Sequence, residues 1–69
     1  MTMNRNYNYA QIDPSTGMCI GVFSGTAELT DMYYIEIPVN DPEHICKYYI
    51  NGAWYEDPAG TITWISSLI

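Results

Sequence analysis

The stretch KYYINGAWYE, residues 47 to 56, constrains this chain more than any other. Asn51 and Gly52 stand between two runs of apolar and aromatic residues. Both central positions of a two-residue hairpin turn need positive φ, and asparagine and glycine meet that need at the lowest steric cost. With these two residues as the loop, the register follows: Ile50 faces Ala53, Tyr49 faces Trp54, Tyr48 faces Tyr55 and Lys47 faces Glu56. Aromatic pairs and a cation–anion pair of this kind each add a few tenths to about 1 kcal/mol over alanine pairs.

A second turn, DPAG at residues 57 to 60, extends the pattern. Pro58 presets the first turn dihedral and Gly60 takes the left-handed position. With Asp57 opposite Thr61, Glu56 falls opposite Ile62 and Trp54 opposite Trp64. Tyr49, Trp54, Trp64 and Ile62 then share one face, while Tyr48, Tyr55, Ile50, Ala53 and Ile65 share the other. One of these faces is expected to be core, and the other is too aromatic for ordinary solvent surface.

The N-terminal third uses the same devices. YNYAQI and MCIGVF flank DPSTG, in which Asp13 and Pro14 open a turn and Gly17 supplies its left-handed residue. Gly21, inside the second strand, points to a bulge or a close approach. Tyr7, Tyr9, Ile20 and Val22 are expected on one side, with Ala10, Ile12, Cys19 and Phe23 on the other. In YYIEIPV, Tyr33, Ile35, Ile37 and Val39 alternate with Tyr34 and Glu36, and Pro38 marks the strand as an edge. NDPEHI begins like a helix, with Asp41 as cap and Pro42 in the first turn, but has room for only one turn. The fold expected is all-β: a small antiparallel meander of about six short strands, with a partly closed barrel or a sandwich as its possible closures. Residues 1–69 are expected to form a single domain, with residues 1–6 as a flexible N-terminal tail.

Composition limits what such a domain can do. At 69 residues the chain is near the lower size limit for an independent core. Yet 48% of it is hydrophobic and only 14% charged, which excludes a disordered chain and leaves more apolar surface than one small sheet hides. A folded module that buries part of its surface against another chain satisfies both facts. The net charge of −6 repels nucleic acid and anionic membranes, and the only cations are Arg5 and Lys47. Neither nucleic acid nor membrane is therefore an expected partner. No apolar run approaches a membrane span, and the polar start carries no hydrophobic signal segment, so a soluble product made outside the secretory route is expected.

The candidate chemical groups do not assemble into a reaction. Glu43, His44 and Cys46 are the one cluster that could begin a nucleophilic mechanism, but residues two apart on a strand do not meet. A turn histidine and a core cysteine are the plainer reading. Cys19 and Cys46 have no metal or redox spacing and read as buried thiols, with a disulfide open only if their strands adjoin. Asp13, Asp41 and Asp57 each precede proline, where a carboxylate can accept hydrogen bonds from amides of its own turn. With Asp31 and Glu43 they fit neither a calcium loop nor a zinc set. Glu36 and Glu56 would be the pair for glycoside hydrolysis, but so short a chain offers no long cleft. No cofactor, metal or catalytic residue is expected. The excess of tyrosine and tryptophan suits an interface, with Tyr34, Tyr49, Trp54, Ile62 and Trp64 as its candidates. A sugar-stacking platform is the lesser alternative.

The tyrosine-rich first strand, the glycine-ended turn before MCIGVF, then YYIEIPV and KYYINGAWYE together resemble the small β-rich modules of bacteriophage tail and tail-fibre proteins, over residues 7 to 57. That resemblance implies a structural component present in several copies, bound to itself or to a larger virion protein. It implies a place in the virion, or in the host cytoplasm before assembly. The family offers no catalytic residues to carry over. The acidic balance suggests a different function, a small inhibitor or adaptor that engages a basic host protein. Seven of the eight acids, all but Asp13, lie from Glu28 to Asp57.

Overall fold

The computed structural model describes residues 6–68, so the expected N-terminal tail lies outside the described residues except for Asn6, which is exposed. Five strands and one helical turn follow in order: β1 (Tyr7–Ile12), β2 (Cys19–Gly25), β3 (Tyr34–Ile37), a 3-10 turn (Pro42–His44), β4 (Tyr48–Ile50) and β5 (Ala53–Tyr55). The described chain is all-β and antiparallel, in a three-stranded sheet of order β2-β1-β3 and a two-stranded sheet β4-β5 that do not close into a barrel.

The tight turns form as their residues require. Asn51 and Gly52 both have positive φ, 49° and 85°, and the register is Tyr48↔Tyr55, Tyr49↔Trp54 and Ile50↔Ala53. Asp41 caps the 3-10 turn by accepting from the Glu43 amide at 2.9 Å, with Pro42 opening the turn. Gly17 and Gly60 take the left-handed positions expected of them. The predicted backbone role of the other turn acids holds too. The Ser15 amide donates to Asp13 and the Thr61 and Ile62 amides to Asp57; Asp31, for which no such role was expected, accepts from the Tyr33 amide.

Two features depart from a six-strand meander. First, β3 returns to pair with β1, as Ala10↔Ile35 and Asn8↔Ile37, and so places β1 at the centre of its sheet. This pairing brings Ile35 and Ile37 to the face that carries Ala10. Second, the expected last strand is reduced to one bridge, Tyr55↔Thr63. Its register is the predicted one: the Glu56 amide donates to the Ile62 carbonyl and the Trp64 amide to the Trp54 carbonyl. The ladder does not extend because a donor is diverted. The Ile62 amide, which this register would send to the Glu56 carbonyl, goes to the Asp57 carboxylate. Side-chain acceptors of this kind compete directly with ladder formation.

A bulge decides which face each β2 side chain meets. Ile12 pairs with Cys19 but Gln11 pairs with Gly21, so Ile20 is the extra residue. A one-residue slip moves every later side chain to the other face. Val22 therefore joins Ala10, and Phe23 joins Tyr9, the reverse of the sequence expectation. The core is Ala10, Ile12, Cys19 and Ile37, with Val22, Ile35, Tyr49 and Trp54 packed against it. On the opposite face Tyr7, Tyr9, Phe23 and Tyr34 form an aromatic row with successive ring centroids 6.2, 5.7 and 5.6 Å apart. The Leu29 amide donates to the Tyr9 hydroxyl at 2.8 Å, which ties the long connection onto that row.

The two sheets are joined where β2 begins. The Cys19 amide donates to the Lys47 carbonyl at 2.7 Å, the Cys46 amide to the Cys19 carbonyl at 2.9 Å, and the Tyr49 amide to the Gly17 carbonyl at 3.0 Å. The backbones of Cys19 and Cys46 are thus adjacent, yet both thiols are free. Cys19 is fully buried as expected, whereas Cys46, which has a left-handed φ of 75°, is exposed, a correction to the expectation of two buried thiols.

Candidate functional site

The site forms where the end of β3, the 3-10 turn and the C-terminal segment converge. Asp41 and His44 are each only 1% exposed, and Ser66 is 4% exposed. The Ser66 hydroxyl donates to the Asp41 carboxylate, and from the next residue the Ser67 amide and hydroxyl donate to Glu43. These bonds hold the C-terminal segment against the cap of the 3-10 turn. The His44 Nδ1 lies 2.9 Å from the Asp41 carbonyl. A carbonyl only accepts, so Nδ1 carries a proton, and the same nitrogen lies 3.8 Å from the Asp41 carboxylate.

His44 is also the hub of the aromatic packing. Its ring meets Trp54 at 4.9 Å and Trp64 at 4.8 Å, both edge to face. Trp54 meets Trp64 at 6.3 Å and Tyr49 at 5.1 Å. Edge-to-face contacts align the positive rim of one ring with the negative face of the next. Trp54 and Tyr49 thereby line the inner side of the hairpin against the core, and the Lys47 ammonium sits 5.2 Å from the centre of the Trp64 ring.

Beside this cluster is an open pocket of about 340 Å³. Its walls are Glu36, Ile37 and Pro38 from β3 and its end, His44, the two tryptophans, and Ile65 and Ser66. Ile65 is 79% exposed at the rim.

Buried Asp, His and Ser side chains together invite comparison with a hydrolytic triad, but their connectivity differs. In a triad the serine hydroxyl gives its proton to the imidazole, which the carboxylate orients. Here the hydroxyl donates to the carboxylate itself, and the imidazole is fixed by a backbone carbonyl. The arrangement orders a chain segment. The Asp41 carboxyl is held below its ordinary value of 3.8, first by the Ser66 hydroxyl, against the opposing effect of burial, and then by the Glu43 amide and His44.

The residues singled out in the sequence are distributed unevenly over this geometry. Trp54 and Trp64 line the pocket, Tyr49 braces Trp54 from the core side, and Ile62 is 54% exposed. Tyr34 lies in the other aromatic row, edge-on to Phe23. Glu36 lines the pocket, while Glu56 stands outside its lining. His44 and Cys46 occupy unlike surroundings, one buried and one exposed. Among the described residues no group of three potential ligands is close enough to hold a metal ion, and no helix is long and apolar enough to cross a membrane.

Sequence reasoning missed Ser66 and the central place of His44. A signal for Ser66 was present: on an extended segment, residues two apart share a side, so placing Trp64 opposite Trp54 also brings Ser66 inward. Nothing local signals the burial of His44, since it depends on contacts with both tryptophans.

Comparison with protein-family models, with curated proteins and with solved structures found no match to this chain.

Proposed function

We propose that the chain is a non-catalytic structural or protein-binding module that assembles with copies of itself or with a larger protein. The observation that carries this reading is the apolar rim of the C-terminal segment. Ile62, Ile65 and Leu68 of that segment are 54%, 79% and 60% exposed, and Ile65 lines a pocket walled by two tryptophans. Large apolar side chains grouped next to an aromatic pocket are a usual mark of a contact surface. The contact is centred on this rim, with Trp64 and Ile62 at its border, while Tyr49 and Trp54 support it from within. The resemblance to phage tail modules extends the proposal to a virion component, present in the particle and in the host cytoplasm before assembly.

Sedimentation of the pure chain at micromolar concentration tests the assembly arm. The expected result is a species heavier than the monomer that Ile62→Asp and Ile65→Asp dissociate without changing the melting transition. A monomer at every concentration removes self-assembly, and absence from purified particles removes the virion placement.

A second reading, an acidic inhibitor or adaptor for a basic host protein, is favoured by one observation. Five of the acids, Glu28, Asp31, Glu36, Glu43 and Glu56, are exposed. A monomer that binds a basic protein with strong salt dependence would support it over the first.

A further inference from the structure

Ile65 is both part of the pocket wall and the most exposed large apolar side chain among the described residues. We propose that the pocket is completed by a second copy of this chain. About a two-fold axis beside this segment, each copy inserts its Ile65 between Trp54, Trp64 and Pro38 of the other. The inference rests on the assembly reading and gives it a partner, a symmetry and a stopping point.

Three observations carry it. The first is that the projection and the hollow share one surface. Any partner that fills the pocket has also to cover Ile65, and a second copy supplies the matching part for each. Such a contact is isologous, with each residue pair made twice, and the assembly closes at two chains.

The second is that the projecting side chain is held in place. Just before it, the Trp64 amide donates to the Trp54 carbonyl. Just after it, the Ser66 hydroxyl donates to Asp41, and Ser67 donates to Glu43. Trp64 is half-buried and Ser66 buried, so the alternation of an extended segment turns Ile65 outward. Little conformational freedom is then left to lose on association.

The third is charge. A net charge of −6 makes two copies repel each other over much of their surface. The stretch from Pro58 to Leu68 carries no charged side chain. Glu36, the only acid in the pocket wall, already has an interaction within the chain. A basic partner would be drawn to the acids elsewhere, whereas a like-charged copy approaches here at low cost. A specific dimer covers about 800 Å² on each copy. The contact therefore extends along the segment from Ile62 to Leu68, with the pocket at its centre.

The test uses the intact chain. Sedimentation at rising concentration is expected to stop at the mass of two chains. In a mixture of isotope-enriched and unlabelled chains, filtered NMR should show Ile65 methyl groups of one copy against indole protons of the other. Ile65→Ala should weaken the dimer at least about tenfold, since each dimer loses the contact twice. Ile62→Ala should weaken it less. The filtered spectrum of the unaltered chain decides even where a variant fails to fold. Added salt should tighten the dimer by screening the like charges. Assembly beyond two chains, a dimer without the contacts between Ile65 and the indoles, or one that salt loosens would overturn this inference and leave the assembly reading standing. A monomer up to millimolar concentration would overturn both.

Discussion

The hydroxyl of Ser66 donates to the buried carboxylate of Asp41 across 25 residues of sequence. The same carboxylate accepts from the Glu43 amide at the start of the 3-10 turn. One side chain therefore both caps a local turn and fastens the distant C-terminal segment that borders the pocket.

Acid should release that fastening. Asp41 and Asp57 are both held below 3.8 in the folded chain, Asp41 chiefly by the Ser66 hydroxyl and Asp57 chiefly by the Thr61 hydroxyl. A carboxyl whose folded pKa is depressed contributes stability that is complete above the unfolded value and is lost as pH falls through the folded one. The melting temperature should hold steady above about pH 5 and fall below the ordinary carboxylate range. Ser66→Ala and Asp57→Asn should start lower and lose less on acidification. An acid limb of unchanged slope in both variants would contradict the assignment.

The two left-handed glycines should differ in cost. A Cβ at Gly52 would meet nothing within 4 Å, so Gly52→Val should destabilise through backbone strain alone, by about 1 kcal/mol or more. A Cβ at Gly60 would also lie 3.3 Å from the Ile50 Cδ1. Gly60→Ala should therefore destabilise more than Gly52→Ala in urea unfolding. The reverse order would show that Ile50 yields freely.

Trp54 should behave as a core residue. It packs on Tyr49, His44 and Trp64 and against the central cluster. Trp54→Ala should destabilise by about 3 kcal/mol, whereas Ile62→Ala should stay within about 0.5 kcal/mol. Denaturant titration of both variants checks this, and a mild effect at Trp54 would place it on the surface.

The two thiols should label at different rates. Cys46 is exposed, while Cys19 is buried and its thiol is pushed up, first by that burial. A thiolate is the reactive form, so burial and a raised pKa slow modification together. One equivalent of a disulfide reagent should react quickly in the native state and the second only on unfolding. Rapid reaction of both would be inconsistent with the position of Cys19.

What the sequence disclosed was local. Asn51-Gly52, Asp41-Pro42 and Asp57-Pro58 each set a turn through residues within a few positions, and the hairpin register followed from the first of them. The Trp54–Trp64 register was legible for the same reason. The pairing of β3 with β1 was not, because no turn connects them and several partners would bury Ile35 and Ile37 equally well. The extra residue at Ile20 was signalled by Gly21 only as a disturbance. Its position, one residue before the glycine, decided whether Val22 or Phe23 entered the core. The pocket was the least legible feature, since it requires β3, the 3-10 turn, β5 and the C-terminal segment to be in place together.

The return of β3 to β1 also sets a time order for folding. The Asn51-Gly52 hairpin closes over two residues and can form in about 1–10 μs. Ala10 and Ile35 must find each other across 25 positions, with the β1–β2 hairpin already occupying the other edge of β1. Such non-local pairing pays its loop-closure entropy before any core contact offsets it, and so it slows folding. The two hairpins are expected to form early, and docking of β3 to limit the rate. Substitutions at Ile35 should therefore slow refolding, while those at Asn51 and Gly52 should act mainly on how often the first hairpin is ready to receive it.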